Sequence, residues 1–194
     1  MKRKHKLEVP EIPLLVKELK RERRKYRVAA VVRSTFNTLL VVAAVAVLVA
    51  TLLTPVLQIY GNSMTPTLVE GQFVVSVKGT DFQQGDLVSF YIGNKLLVKR
   101  VIAGPGDWVD IREDGTVLVN GEEIHEPYVR DKAFGQCDLE LPYQVPESRY
   151  FMMGDHRETS VDSRSTVIGC IARDQIVGKI VLCVWPLDDF GVIK

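Results

Sequence analysis

Apolar residues are distributed in two unlike ways along the 194-residue chain. Between Ser34 and Val69 there is no Asp, Glu, Lys or Arg, and from Phe36 to Leu53 only Asn37, Thr38 and Thr51 interrupt the apolar side chains. About 20 residues cross a bilayer core of about 30 Å, so this run with its flanks can span it. No Gly or Pro breaks it before Pro55, so a helix can satisfy its own backbone in lipid. The pattern predicts a transmembrane helix over residues 34–56.

Beyond Leu57 the apolar runs shorten and alternate with turn residues. Gln72–Val77, Asp86–Tyr91 and Lys95–Ile102 read as strands, the last ended by Gly104-Pro105-Gly106-Asp107. Trp108–Arg112 and Thr116–Val119 flank Glu113-Asp114-Gly115, a hairpin signal. Gln175–Trp185 is a late, strongly apolar strand region. No useful helical period follows residue 60. The expected fold is mostly β, an antiparallel sheet or barrel-like domain behind one helix. Residues 107–150 read as a small β-rich insertion, with 57–106 and 151–194 forming the main domain.

Charge adds a direction to this picture. Residues 1–33 hold 12 of the 25 basic and 4 of the 24 acidic residues, a net +8, which leaves 13 basic and 20 acidic residues, a net −7, in the remainder. Glu18 and Glu22 have spacings to neighbouring Lys and Arg that pair across helical turns, so the arm reads as a basic helix. An arm of this kind beside a span is either a solvated helix or a contact for anionic lipid headgroups. Nucleic-acid binding lacks any aromatic interleaving or recognition motif here. Excess Lys and Arg before the span places the N-terminus in the cytoplasm and the β domain outside. The basic region is too long for a cleaved secretory signal and the apolar run exceeds the usual 7–15 residues, which favours an uncleaved anchor. Cys137, Cys170 and Cys183 are too few for a disulfide framework, and neither C-x-x-C nor H-E-x-x-H occurs, so no metal or cofactor site is expected.

Three polar segments then stand out. Gly61-Asn62-Ser63-Met64-Thr65-Pro66-Thr67-Leu68 holds a serine between two turns. Alone, such a serine is either a turn residue or a nucleophile in need of a base. In Leu96-Leu97-Val98-Lys99-Arg100-Val101-Ile102 a lysine sits in an apolar strand. Alternation gives Leu97, Lys99 and Val101 one face and Val98 and Arg100 the other. Lys99 is then either a charge guarding an edge strand or, if its face is buried, an amine whose pKa falls far enough to act as a general base. Residues 154–164, Gly-Asp-His-Arg-Glu-Thr-Ser-Val-Asp-Ser-Arg, are either a solvated loop or an ion-paired scaffold that sets Ser160 or Ser163 beside that amine.

Together the three segments resemble bacterial type I signal peptidase, a membrane-anchored Ser/Lys protease. The likeness runs from the anchor through Trp185-Pro186. Gly61-x-Ser63-Met64-x-Pro66-Thr67-Leu68 resembles the nucleophile motif, Asp86-Leu87-Val88 and Lys99 through Asp107 the general-base segment, and residues 154–164 the G-D-N-R-x-x-S-x-D-S-R box. The resemblance implies Ser63 as nucleophile and Lys99 as base, with Ser160 orienting the amine and the Ser63 N–H in the oxyanion hole. It implies that Asp162 pairs with Arg157, with Asp155 and Arg164 as support. It puts Gln58 and Ile59 on a substrate-pairing strand, and Ile59, Met64, Leu68 and Val98 around a shallow pocket suited to small-x-small sites such as Ala-x-Ala. The implied partners are signal peptides of secretory preproteins, the bilayer and the nearby export machinery. Three features depart from the family pattern: His156 replaces Asn in the box, Gly61 stands where some members carry a Ser that supplies a second oxyanion donor, and the insertion is short, as in the compact Gram-positive form. A Ser63/His156 pair with Asp155 or Asp162, and a catalytically silent anchored protein, are the competing readings.

Overall fold

The computed structural model describes residues 12–79 and 81–193; the basic arm before residue 12 lies outside the described residues. The chain divides into two units at Ala50/Thr51. The described part of the first is helical throughout.

Helix α1, Ile12–Leu53, is 42 residues long, or about 63 Å at 1.5 Å per residue. It joins the described part of the basic arm and the apolar run in one continuous element, and its apolar part makes it a candidate membrane span. Glu18 pairs with Arg21 and Glu22 with Lys25, one turn apart and exposed, contacts that contribute tenths of a kcal/mol. In the apolar half Thr38 Oγ1 donates to Ser34 O at 3.0 Å, so this hydroxyl needs no water. Phe36, Leu39, Leu40, Val42 and Val45 are all exposed, so this part of the helix is apolar all round. The helix stops at Leu53, short of residue 56, and Val56 already starts a strand. Pro55 accounts for this, since proline disfavours helical geometry in the residue before it.

The second unit is antiparallel β. Its strands are β1 Val56–Gln58, β2 Phe73–Val77, β3 Leu87–Ile92, β4 Lys95–Ala103, β5 Trp108–Ile111, β6 Val117–Val119, β7 Glu122–Glu123, β8 Tyr143–Gln144, β9 Arg149–Met153, β10 Ile171–Ala172, β11 Ile176–Trp185 and β12 Gly191–Val192. The large sheet has the order β1-β2-β11-β3-β4-β9-β10, with β12 on β11; a small sheet has the order β7-β6-β5-β8. The small sheet has no separate core. Val109, Ile111 and Val117 pack with Ile102, Ala103, Phe151 and Met153 of the large one. Gly178 lets β11 bend close to β2, because a Cβ there would lie 2.4 Å from Val77 O.

β4 is the strand that matters most. Lys95 to Arg100 pair with β3 and Arg100 to Ala103 with β9, so the two neighbours overlap at Arg100 and Lys99 has a ladder partner on one side among the described residues. Leu97 and Val101 pack with Phe90 and Met152 on one side, while Val98 packs with Ile59 and Met64 on the other. Both faces are covered, and Lys99 and Arg100 are buried with them. Arg100 pairs in register with Met153, the last residue of β9. The polar box begins one residue later, and the register therefore delivers it to the charged part of β4.

Candidate active site

The Ser63 loop leaves β1 through Ile59, whose N–H donates to Gln72 O at 2.8 Å and whose carbonyl accepts from Gly71 N at 2.9 Å. Gly61 takes φ +78°, a left-handed conformation that suits glycine, and turns the chain back. Thr65 N–H and Oγ1 both donate to Asn62 O, at 3.1 and 2.8 Å, closing a turn around Ser63. Two bonds fix this turn to the box: His156 N–H donates to Ser63 O at 3.1 Å and Thr67 Oγ1 donates to Asp155 Oδ2 at 2.5 Å.

Lys99 Nζ donates to Ser63 Oγ at 2.7 Å. Lys99 is 4% exposed, and no carboxylate forms an ion pair with its amine among the described residues. Burial pushes its pKa down to about 8; Asp162 raises it, Arg164 lowers it and Asp155 raises it, each by less than burial does. A hydroxyl and an amine with an accessible neutral form are thus in contact, across 36 positions of sequence.

The box is held by three buried arginines. Arg164 makes a two-bond pair with Asp162, at 2.8 and 2.9 Å, and donates to the carbonyls of Phe134 and Arg157. Arg100 makes the same kind of pair with Asp155, at 2.9 and 2.7 Å, and its guanidinium lies 3.8 Å over the Tyr128 ring. Arg157 pairs with Glu126 through two guanidinium N–H groups. The expected Asp162–Arg157 pair is therefore replaced. The tight turn between residues 162 and 164 gives Asp162 a nearer arginine, and Arg157 reaches Glu126 instead. Asp155 and Arg164, expected as support, carry two of the three pairs.

Ser160 differs from expectation in another way. Its side chain is buried, yet Oγ has no hydrogen-bond partner among the described residues, and the Ser160–Lys99 bond is not formed. Ser160 Oγ does lie over Gly154: a Cβ on that glycine would meet it at 2.3 Å and Ser63 O at 2.5 Å. Only glycine leaves room there for both the nucleophile loop and the serine. Ser163, the alternative, is taken up by Met152 N–H and Gly169 O. The His156 ring meets Thr159 Oγ1 at 3.0 Å and makes no hydrogen bond to Ser63, so the structure does not assemble a Ser63/His156 pair.

A cleft of about 90 Å³ opens over Ser63 and Lys99, bounded by Gln58, Ile59, Tyr60 and Gly61 on one side and Leu96, Leu97 and Val98 on the other, with Met64 between. Among the described residues β1 ends the sheet order and pairs with β2 alone. Since Ile59 bonds toward β2, alternation turns the N–H and C=O of Gln58 and Tyr60 toward the open edge. Leu68, expected on the pocket wall, does not line this cleft; it is fully buried beneath, packed with Ile59, Met64 and Val98. Arg100, Thr67, Glu126 and Tyr128 had no assigned role in the sequence. Arg100 had a signal, a second charge in an apolar strand; Glu126 had none.

The family model for signal peptidase, peptidase S26, matches residues 32–185. Signal peptidase IB of Staphylococcus aureus (strain COL) is 38% identical over 152 residues, 68% of this chain and 78% of that protein. Signal peptidase I of Bacillus amyloliquefaciens is 30% identical over 187 residues, 91% of this chain and all of that protein. A crystal structure of a signal peptidase I from Enterococcus faecalis aligns with 52% of this chain and 97% of its own, at 27% identity and a TM-score of 0.44. By the span of the family match and the identity to these relatives, the chain belongs to the signal peptidase family, peptidase S26, and so to the serine endopeptidases that cleave signal peptides from preproteins.

Proposed function

We propose that Ser63 is the nucleophile and neutral Lys99 the general base in cleavage of secretory preproteins after small-x-small sites such as Ala-x-Ala. The observation that carries this is the 2.7 Å contact between a buried lysine amine and a serine hydroxyl. With the amine neutral the bond reverses, and Ser63 O–H donates to Nζ. Nζ takes that proton as Oγ attacks the scissile carbonyl carbon. The negative charge moves to the carbonyl oxygen, which the Ser63 N–H stabilises. Gly61 offers no side chain to this oxyanion. The ammonium then gives its proton to the leaving amine, the C–N bond breaks, and an ester to Ser63 remains. Lys99, neutral again, takes a proton from water as the water oxygen attacks the ester carbonyl, and returns it to Ser63 Oγ as the ester C–O bond breaks and the signal peptide leaves with the new carboxyl group.

The substrate lies extended along the free edge of β1, with Gln58 pairing to its backbone. Ile59, Met64 and Val98 narrow the cleft to small side chains, and Leu68 props them from below. Ser160 restrains the amine by a hydrogen bond between its unpartnered Oγ and Nζ, made while Nζ keeps its contact with Ser63 Oγ. Asp155, Arg157, Asp162 and Arg164 hold the box. In this reading α1 is a single anchor with a cytoplasmic N-terminus, its basic part meets anionic headgroups, and the β unit works outside, beside the export machinery.

The test is incubation of the detergent-solubilised protein with a secretory preprotein carrying an Ala-x-Ala site. Ser63→Ala and Lys99→Ala are each expected to lose on the order of a thousandfold in rate. Undiminished cleavage by Lys99→Ala would sink the lysine mechanism.

A further inference from the structure

A second depression, about 360 Å³, opens at the other end of the nucleophile loop. Its walls are Thr65 and Pro66 of that loop, Arg130 to Ala133 of the insertion, and His156 and Glu158 of the box. It shares no lining residue with the cleft over Ser63 and Lys99. Yet it begins two residues beyond Ser63, and one of its walls, His156, bonds the Ser63 carbonyl through its N–H. The nucleophile loop therefore lines both cavities, the first through Ser63 and Met64 and the second through Thr65 and Pro66.

They differ in charge. In the first, Lys99 is the one charged residue, among Ser63, Gln58 and the apolar Ile59, Met64, Leu96, Leu97 and Val98. The second is walled by charges of both signs. Among the described residues Arg130, Asp131 and Glu158 are exposed and form no ion pair or side-chain hydrogen bond, whereas Lys132 is held by Glu123 and Thr116 and Asp155 by Arg100. Three charges left free beside a nucleophile are available to something that arrives there.

A peptide cut at Ser63 has two halves, and they leave the nucleophile in opposite directions. At about 3.3 Å per extended residue, three residues beyond the scissile bond span about 10 Å, as far as the chain from Ser63 to Pro66 can reach. We infer that this depression receives the mature-protein side of the substrate, and that Arg130 and Glu158 select among substrates by the charge of those residues. The inference rests on the reading of Ser63 and Lys99 given above.

The test uses the full chain in detergent and a preprotein series with one signal peptide, differing only in Lys, Ser or Glu at the second to fourth mature positions. kcat/KM is measured for the wild type, Glu158→Lys and Arg130→Glu. Exposed ion pairs of this kind are small, so Glu158→Lys is expected to shift the preference toward the Glu-bearing substrate by about threefold, and Arg130→Glu to shift it by about as much toward the Lys-bearing one. A merely structural change would scale all three substrates alike. Unchanged preference in both variants, with cleavage intact, would overturn the inference alone. A uniform change seen only when anionic vesicles are added would assign the depression to lipid headgroups and overturn it too. No cleavage of any substrate by the wild type would overturn the reading of the site on which it rests.

Discussion

Lys99 and Arg100 are neighbours on one strand and are 4% and 1% exposed, yet they are treated in opposite ways. Arg100 receives a carboxylate through two hydrogen bonds, a third bond to Gly85 O and the face of Tyr128. Lys99 receives a serine hydroxyl. A guanidinium keeps its charge at any accessible pH, so burying it requires an acidic partner. An ammonium can relieve the same burial by losing its proton. Asp155 and Asp162, the carboxylates that raise the Lys99 pKa, are each bound to an arginine, which keeps them from forming an ion pair with the amine. Pairing around the lysine, not at it, is what leaves it titratable.

The comparison breaks most visibly if the arginine loses its partner. Asp155→Ala leaves Arg100 charged and buried, and is expected to lower stability by about 3–5 kcal/mol. Urea unfolding in detergent reads this; a loss under about 1 kcal/mol would mean that Gly85 O, Thr67 and Tyr128 suffice for Arg100.

Lys99→Met should act in the opposite sense, removing activity while raising stability by about 2 kcal/mol at pH 7. The gap between about 8 in the folded protein and about 10.4 for a free lysine corresponds to about 3 kcal/mol, part of which the bond to Ser63 returns. The sign follows from proton binding. Between those two values the unfolded chain holds the proton that the folded one has lost, so wild-type stability rises with pH there, and the full penalty applies below about 8. Lys99→Met should show no such rise. Parallel stability curves for the two proteins from pH 7 to 10 would contradict the burial penalty.

The smallest effect sharpens the same contrast through activity alone. If the neutral amine is the base, kcat/KM should fall nearly tenfold from pH 7 to pH 6 and level off above about 8. A rate independent of pH over that range would separate the step being measured from Lys99.

Several elements were readable in advance for local reasons. The charge-free run from Ser34 to Val69 requires a helix if it crosses lipid, and α1 covers it as far as Leu53. The strand runs at 72–77, 86–91, 95–102 and 175–185 each became a strand within a residue or two, because alternating and β-branched patterns act over neighbours. The short strands β7, β8 and β10 carry two residues each, too few for a pattern to register.

By itself, then, the sequence determined one apolar helix, a β domain behind it, and a lysine placed where burial would lower its pKa. The tertiary structure decided which side chains meet. Arg157 had Asp155, Glu158 and Asp162 close in sequence but pairs with Glu126, 31 positions away. Leu68 went under the cleft and not into its wall, and Ser160 came to rest beside Gly154 with its hydroxyl unbonded. Periodicity reports which face of an element is apolar. The choice among several carboxylates for one arginine depends on strand register and loop closure across the whole sheet, and no local pattern encodes it.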